Sequence, residues 1–172
     1  RTSRAKDGSK GEDLLETFSR SCDREWVSSQ SHPAPQTTST DTASATCEQG
    51  DAVAQRMLGV AHWYGREVPQ SDAEAVEWYR KAAEQGYAMA QFNLGTMYFN
   101  GKGVIEDYVA AYAWTIVAKA NGHDTEKTQK ALRLFKQRMT PEQIALAQAL
   151  AKKIFQKIEN KDSENPINVR DD

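Results

Sequence analysis

The residues that could do chemistry in this 172-residue chain fall into a few small groups. Ser3-Arg4-Ala5-Lys6 spells S-x-x-K, the spacing in which a lysine assists serine attack on an acyl group. Neither companion motif of that enzyme class accompanies it, so the spacing reads as coincidence. His32, His62 and His123 share no ligand spacing with Cys22 or Cys47, and a metal site needs its donors gathered. No metal and no cofactor is expected. Gly101-Lys102-Gly103 is too short for a phosphate-cradling loop and reads as a turn. What remains is recognition by a surface. Arg56, Val60 and Trp63, with Phe92, Thr96 and Phe99, have the side-chain types that dominate binding hot spots, where aromatics and arginine carry most of the energy. These six are the candidate partner-binding residues, with Trp63 and Arg56 the principal candidates; for Val60, Phe92 and Phe99 the alternative is packing between neighbouring repeats.

Their positions follow from an internal repeat. Residues 51–86 are echoed by 87–122 at an offset of 36, with eleven identities: Ala52/Ala88, Ala54/Ala90, Gln55/Gln91, Leu58/Leu94, Gly59/Gly95, Gly65/Gly101, Val68/Val104, Ala75/Ala111, Trp78/Trp114, Ala82/Ala118 and Gly86/Gly122. A period of that length marks a helical solenoid. Each unit reads as two antiparallel helices. In the first, Ala54, Leu58 and Ala61/His62 make the buried stripe, with His62 held by packing and one hydrogen bond. Gly65 suits the left-handed position that ends a helix. Ser71 and Glu74 spell a capping box for the second helix, whose buried face is Ala75, Trp78, Tyr79, Ala82 and Ala83. Asp107 caps the equivalent helix of the second unit. Gly59 and Gly95 sit mid-helix, where glycine costs about 1 kcal/mol relative to alanine. Their recurrence at one phase predicts a helix crossing too close for a Cβ.

The flanks differ. Residues 1–46 form an N-terminal arm, mostly disordered, with an amphipathic helix expected over 12–27 from Leu14, Leu15, Phe18, Cys22 and Trp26. Ser28–Thr46, rich in Ser, Thr and Ala, reads as a linker. After Gly122 the period stops and two capping helices are expected within 124–158, the second opened by Thr140-Pro141-Glu142-Gln143. Residues 159–172 read as a disordered tail. The repeats alone carry no excess of positive charge, whereas residues 123–158 carry 8 basic against 3 acidic groups. A net charge of −2 gives no reason to expect nucleic acid. No apolar run is long enough for membrane insertion. Nothing near Arg1 resembles a signal peptide, and two separated cysteines are best read as free thiols of a reducing, cytoplasmic setting, favoured over a periplasmic or secreted one.

The blocks Ala54-Gln55-x-x-Leu58-Gly59, Gly65-x-x-Val68 and Ala75-x-x-Trp78-Tyr79-x-Lys81-Ala82-Ala83-Glu84-Gln85-Gly86 resemble the Sel-one-like repeat family, a tetratricopeptide-like branch of helical repeat proteins. The match continues through Ala90-Gln91-x-x-Leu94-Gly95, Tyr98, Gly101-x-Gly103-Val104 and Asp107, and Met139-Thr140-Pro141-Glu142-Gln143-Ile144 looks like the ending of bacterial members. Glu67 departs from the pattern at a loop glycine, and Thr115-Ile116 departs after Trp114. The resemblance implies an all-α, right-handed α-solenoid of antiparallel helix pairs over residues 47–158. It also implies a non-enzymatic scaffold or adaptor that binds another protein or peptide on its concave face. Two alternatives stay open: a β-lactam-binding or hydrolase-type member, although that branch carries paired cysteines within its repeats, and a truncated repeat protein without independent function. The first helix pair lacks a partner on its N-terminal side, and that face is open either to the 12–27 helix of the N-terminal arm or to a second chain, which would be self-association if that chain is another copy.

Overall fold

The computed structural model describes residues 50–164, with side chains to residue 161. The expected 12–27 helix, the linker, the S-x-x-K tetrad, His32 and both cysteines lie outside the described residues. Six helices follow one another: α1 (Ala52–Tyr64), α2 (Asp72–Ala83), α3 (Ala88–Asn100), α4 (Tyr108–Ala120), α5 (Glu126–Gln137) and α6 (Pro141–Glu164). Among the described residues there is no strand. The architecture is an all-α solenoid of helix pairs, each element packed on its neighbour in the order α1–α2–α3–α4.

Local chemistry sets the boundaries. Asp51 caps α1 by accepting from the N–H groups of Val53 and Ala54, and Asp107 caps α4 the same way through Val109 and Ala110. Such caps satisfy donors that the first helical turn leaves unpaired. Ser71 Oγ accepts from Glu74 N–H at 3.2 Å. The return arm of that capping box is not made, because Ser71 N–H donates to His62 O at 2.9 Å, as Asp107 N–H does to Tyr98 O at 3.0 Å. At Thr140 both arms form: Gln143 N–H donates to Thr140 Oγ1 at 3.3 Å and Thr140 N–H to Gln143 Oε1 at 2.9 Å. The apolar pattern of α6 stops at Ile158, but the helix continues to Glu164.

The mid-helix glycines do what their phase implies. A Cβ on Gly59 would lie 2.6 Å from Tyr79 Cε1 and 3.2 Å from Ala75 O; one on Gly95 would lie 2.6 Å from Thr115 Oγ1 and 3.0 Å from Ala111 O. Each pair of helices is therefore in backbone contact. Gly65 and Gly101 take φ of 64° and 61° where α1 and α3 end. Glu67 adopts φ 65° and Gly103 φ 69°. The first loop thus keeps the left-handed geometry despite losing the glycine. Gly103 has a further reason to lack a side chain, since a Cβ there would run into the backbone of Asp72 and Ala73.

The core is continuous between repeats. Trp63, Ala75, Val76, Tyr79, Ala82 and Ala83 of the first pair meet Ala90, Leu94 and Met97 of the second. Here the structure corrects the expected stripe on α1. Ala90 and Leu94 are fully buried, yet their equivalents Ala54 and Leu58 are only half-buried. In α3 these positions lie against the preceding pair, and among the described residues α1 has no preceding pair to meet. Its buried positions are instead Gln55, Arg56, Gly59 and Trp63. At the other end the alternation continues without the sequence period: Phe135 of α5 stacks on Phe99 of α3 at 4.3 Å, and α6 lies along α4 through Ala113, Val117, Ala147 and Ala151.

Two substitutions test these contacts. Gly95→Ala gains about 1 kcal/mol of helix propensity but overpacks a crossing, which typically costs about 1–3 kcal/mol. Chemical denaturation should show a net loss of stability, smaller in a Thr115→Ala background; an unchanged or raised midpoint would mean the crossing opens freely. Glu67→Gly relieves a left-handed non-glycine and should raise stability by about 0.5–1 kcal/mol in the same assay.

Candidate functional site

The six expected partner-binding residues lie along α1 and α3, but their exposure is not that of an open groove. Trp63 is 3% exposed, Arg56 and Phe92 2%, Thr96 1% and Phe99 8%. Val60 is half-buried against the core. The cause is packing within the chain. Trp63 stacks on Tyr64 at 5.2 Å and meets the Tyr79 ring edge-on at 6.3 Å. Phe92 lies 5.1 Å from the His123 ring, and Phe99 is covered by Tyr108 and Phe135. Thr96 Oγ1 donates to Phe92 O within its own helix at 3.0 Å. The structure therefore brings Phe92 and Phe99 together with the terminal unit, and Trp63 with the first core. α3 packs on α2 and α4, and Phe135 of α5 lies over Phe99, so most α3 residues are buried.

Other side chains proved important that the sequence pattern displayed without a role. Gln85 Nε2 donates to Gln55 Oε1 at 2.7 Å, and one period later Asn121 Nδ2 donates to Gln91 Oε1 at 3.0 Å. Gln91, fully buried, also donates to Ala83 O at 3.0 Å, at the C-terminal end of α2 where carbonyls lack helical partners. The identity Gln55/Gln91 was the available signal, and the second partner changes from Gln to Asn without loss of the bond. Arg80 ties the repeats together from outside, donating to Glu77 at 2.7 Å and to Tyr98 Oη at 3.3 Å. These contacts hold its pKa above the usual guanidinium value, although burial acts in the opposite sense.

The two histidines in the described region have separate tasks. His62 Nδ1 lies 3.3 Å from Pro69 O, bracing the loop after α1. His123 follows α4, and its carbonyl accepts from Thr128 Oγ1 at 2.7 Å to start α5. Burial lowers the His123 pKa, and the charges of Arg56 and Lys127 add to the effect. Its Nε2 is buried without a hydrogen-bond partner, so the neutral ring is a packing element against Phe92. Among the described residues no three His, Cys, Asp or Glu side chains gather closely enough to hold a metal ion. No helix among them is long and apolar enough to cross a membrane.

With the two helix pairs, their glycine crossings and their recurring amide bonds in place, comparison with known proteins identifies the module. The family model of the Sel1 repeat matches residues 52–87 and 88–123. Residues 52–123 thus match a tandem pair of Sel1 repeats. The matched units keep the 36-residue spacing, one residue on from the boundaries set by the glycines. The crystal structure of c5321, a protective antigen present in uropathogenic Escherichia coli strains and displaying an SLR fold, superposes with a TM-score of 0.65 at 24% identity, covering 95% of this chain and 34% of that one. A Sel1 repeat protein from Oxalobacter formigenes gives a TM-score of 0.50 at 36% identity, covering 56% of this chain and 27% of its own. The chain thus spans about a third or less of the length of these solved structures. No curated protein matches it. Sel1 repeats commonly mediate protein–protein interaction and generally act as non-catalytic scaffolds.

The state of His123 gives a pH test of the Sel1 pair. Its lowered pKa means that the unfolded chain binds the proton more readily. The stabilisation is complete above the ordinary imidazole value of about 6.5 and is lost as pH falls through the lower folded value. Melting temperature should therefore drop on acidification below about pH 6.5, and His123→Gln should shrink that drop. An identical acid dependence in the variant would place the titrating group elsewhere.

Proposed function

We propose that this chain is a non-enzymatic scaffold that binds a partner protein along the side of its helix pairs formed by α1 and α3, with α1 as the contact helix. The observation that supports the reading is the asymmetry between two equivalent helices. Val53 and Met57 are 38% and 49% exposed, with Ala54, Leu58 and Val60 half-buried beside them. Of the corresponding α3 residues, Ala90, Asn93, Leu94 and Thr96 are buried and Met89 is half-buried, with Ala90 and Leu94 in the core shared with α2. A helix from a partner would make with Ala54 and Leu58 the contact that α2 makes with Ala90 and Leu94. The mechanism is shape and apolar burial on a rigid backbone, at about 25 cal/mol per Å² covered. In this reading Trp63 and Arg56 are supports beneath the contact helix rather than its anchors.

The test places a photo-crosslinker at position 57 and, as a control, at Arg133 on the outer side of α5, in the full chain expressed in its source cells. A partner adduct is expected from position 57 alone. Met57→Glu should abolish it while leaving stability within about 0.5 kcal/mol of the parent. Trp63→Ala should instead lose about 3–5 kcal/mol, as large buried aromatics do. If the adduct is a second copy of the chain, light scattering will show a dimer that Met57→Glu dissociates. Equal adducts from both positions, or adducts that survive Met57→Glu, would refute α1 as the contact helix.

A further inference from the structure

A second surface, separate from α1, lies where α6 crosses the array. Between α6, α4 and the end of α2 runs a half-open groove of about 600 Å³, floored by the half-buried Trp114 and by Ile154. Lys153, Lys157 and Lys161 line it from α6, and Glu84 enters from α2. The three lysines recur every fourth residue, so they stand in a row on one helix face, with about 12 Å along the axis from first to last.

The row is not uniform. Lys157 donates to Glu84 Oε1 at 3.2 Å, which compensates the middle charge. Lys153 and Lys161 make no ion pair with a described carboxylate. The groove therefore has a positive group at each end, a compensated pair in the centre and an aromatic floor. The repeat explains why that floor is open. In the first unit Lys81 lies over the Trp78 ring at 3.8 Å. One period later the position of Lys81 is Val117, buried against α6, so Trp114 has no lysine of its own helix above it.

We propose that this groove receives an acidic polypeptide segment, with two carboxylates four residues apart flanking an apolar side chain. An extended peptide advances about 3.3 Å per residue, so residues four apart span about 13 Å, which matches the separation of Lys153 and Lys161. The apolar side chain between them would reach Trp114 and Ile154. The compensated Lys157–Glu84 pair offers no net positive charge at the centre, so a continuous polyanion such as a nucleic-acid backbone gains nothing there, whereas an apolar residue loses nothing. The acid–apolar–acid spacing is thus selected by the compensated pair.

The experiment titrates the full chain, labelled with nitrogen-15, with the peptide acetyl-Gly-Glu-Ala-Leu-Ala-Glu-Gly-amide. Expected is a saturable shift of the Trp114 indole and of the α6 amides, weakening with salt. Replacing both peptide glutamates by glutamine, or using Lys153→Gln/Lys161→Gln protein, should weaken binding at least about tenfold. Lys153→Glu/Lys161→Glu protein should instead bind the peptide that carries lysines in place of the glutamates. These lysines are exposed, so circular dichroism should be unchanged; Trp114→Phe provides a conservative check of the floor. Equal binding of the glutamine peptide, tighter binding of a short oligodeoxythymidylate, shifts confined to other helices, or no binding at millimolar peptide would each overturn the assignment.

Discussion

The contact on which the array depends is one between backbones. At Gly59 of α1 and again at Gly95 of α3, the first helix of a pair comes so close to the second that a single methyl group would meet a carbonyl oxygen, that of Ala75 or Ala111. Alanine at both facing positions keeps the other wall as thin as an L-residue allows. Helix pairs with larger residues at the contact settle farther apart, within the usual 8–10 Å range. Here the short distance lets the residue four beyond each alanine reach across the glycine. In the first unit this is the Tyr79 ring, which then presents its edge to Trp63. In the second it is Thr115, whose hydroxyl turns back to Ala111 O at 2.8 Å. One backbone geometry thus accepts two different fillings.

So close a crossing leaves little room for water, and buried polar groups must be satisfied by one another. An unpaired buried amide costs about 1–3 kcal/mol. Gln55 with Gln85, and Gln91 with Asn121, answer that demand at the same phase of each repeat. Gln91 reaches one step further, to Ala83 O, and so joins the end of one pair to the start of the next. Glycine crossings fix the angle within a pair, the amide–amide bonds tie the two ends of each pair together, and the second bond of Gln91 links one pair to the next. The apolar side chains fill a frame that backbone and amide contacts have already restricted.

This division explains what could be read from the residues alone. Helix ends, caps and crossings depend on local chemistry: Asp107, Gly65, Gly95 and Thr140 each announce their role within a few residues. Exposure does not. Ala54 and Ala90 are the same residue at the same phase, and only the presence of α2 before α3 makes one half-buried and the other fully buried. The same holds for Phe92 and Phe99, which look like surface anchors until His123, Tyr108 and Phe135 are placed over them. No period links those three residues to the repeats, so the pattern that located the aromatics could not show what covers them. α6 outran its apolar pattern for a similar reason, since nothing after Ile158 breaks a helix before Pro166.

The places where the second repeat departs from the first are where the repeats meet α6. In α2, Arg80 and Lys81 follow Tyr79; Arg80 reaches out to Glu77 and Tyr98, and Lys81 covers Trp78. In α4 the same positions are Ile116 and Val117, and both pack with α6. Exchanging a cation pair for two β-branched apolar residues removes the polar exterior of α4 and creates a seat for a helix that carries no repeat signature. Thr115 beside them keeps the crossing closed without a ring, so the backbone path is unchanged while the outer face is rewritten. The C-terminal unit is therefore recruited by a few substitutions on α4. Its lysines come to lie beside Trp114 because the same substitutions withdrew the lysine that would have covered it.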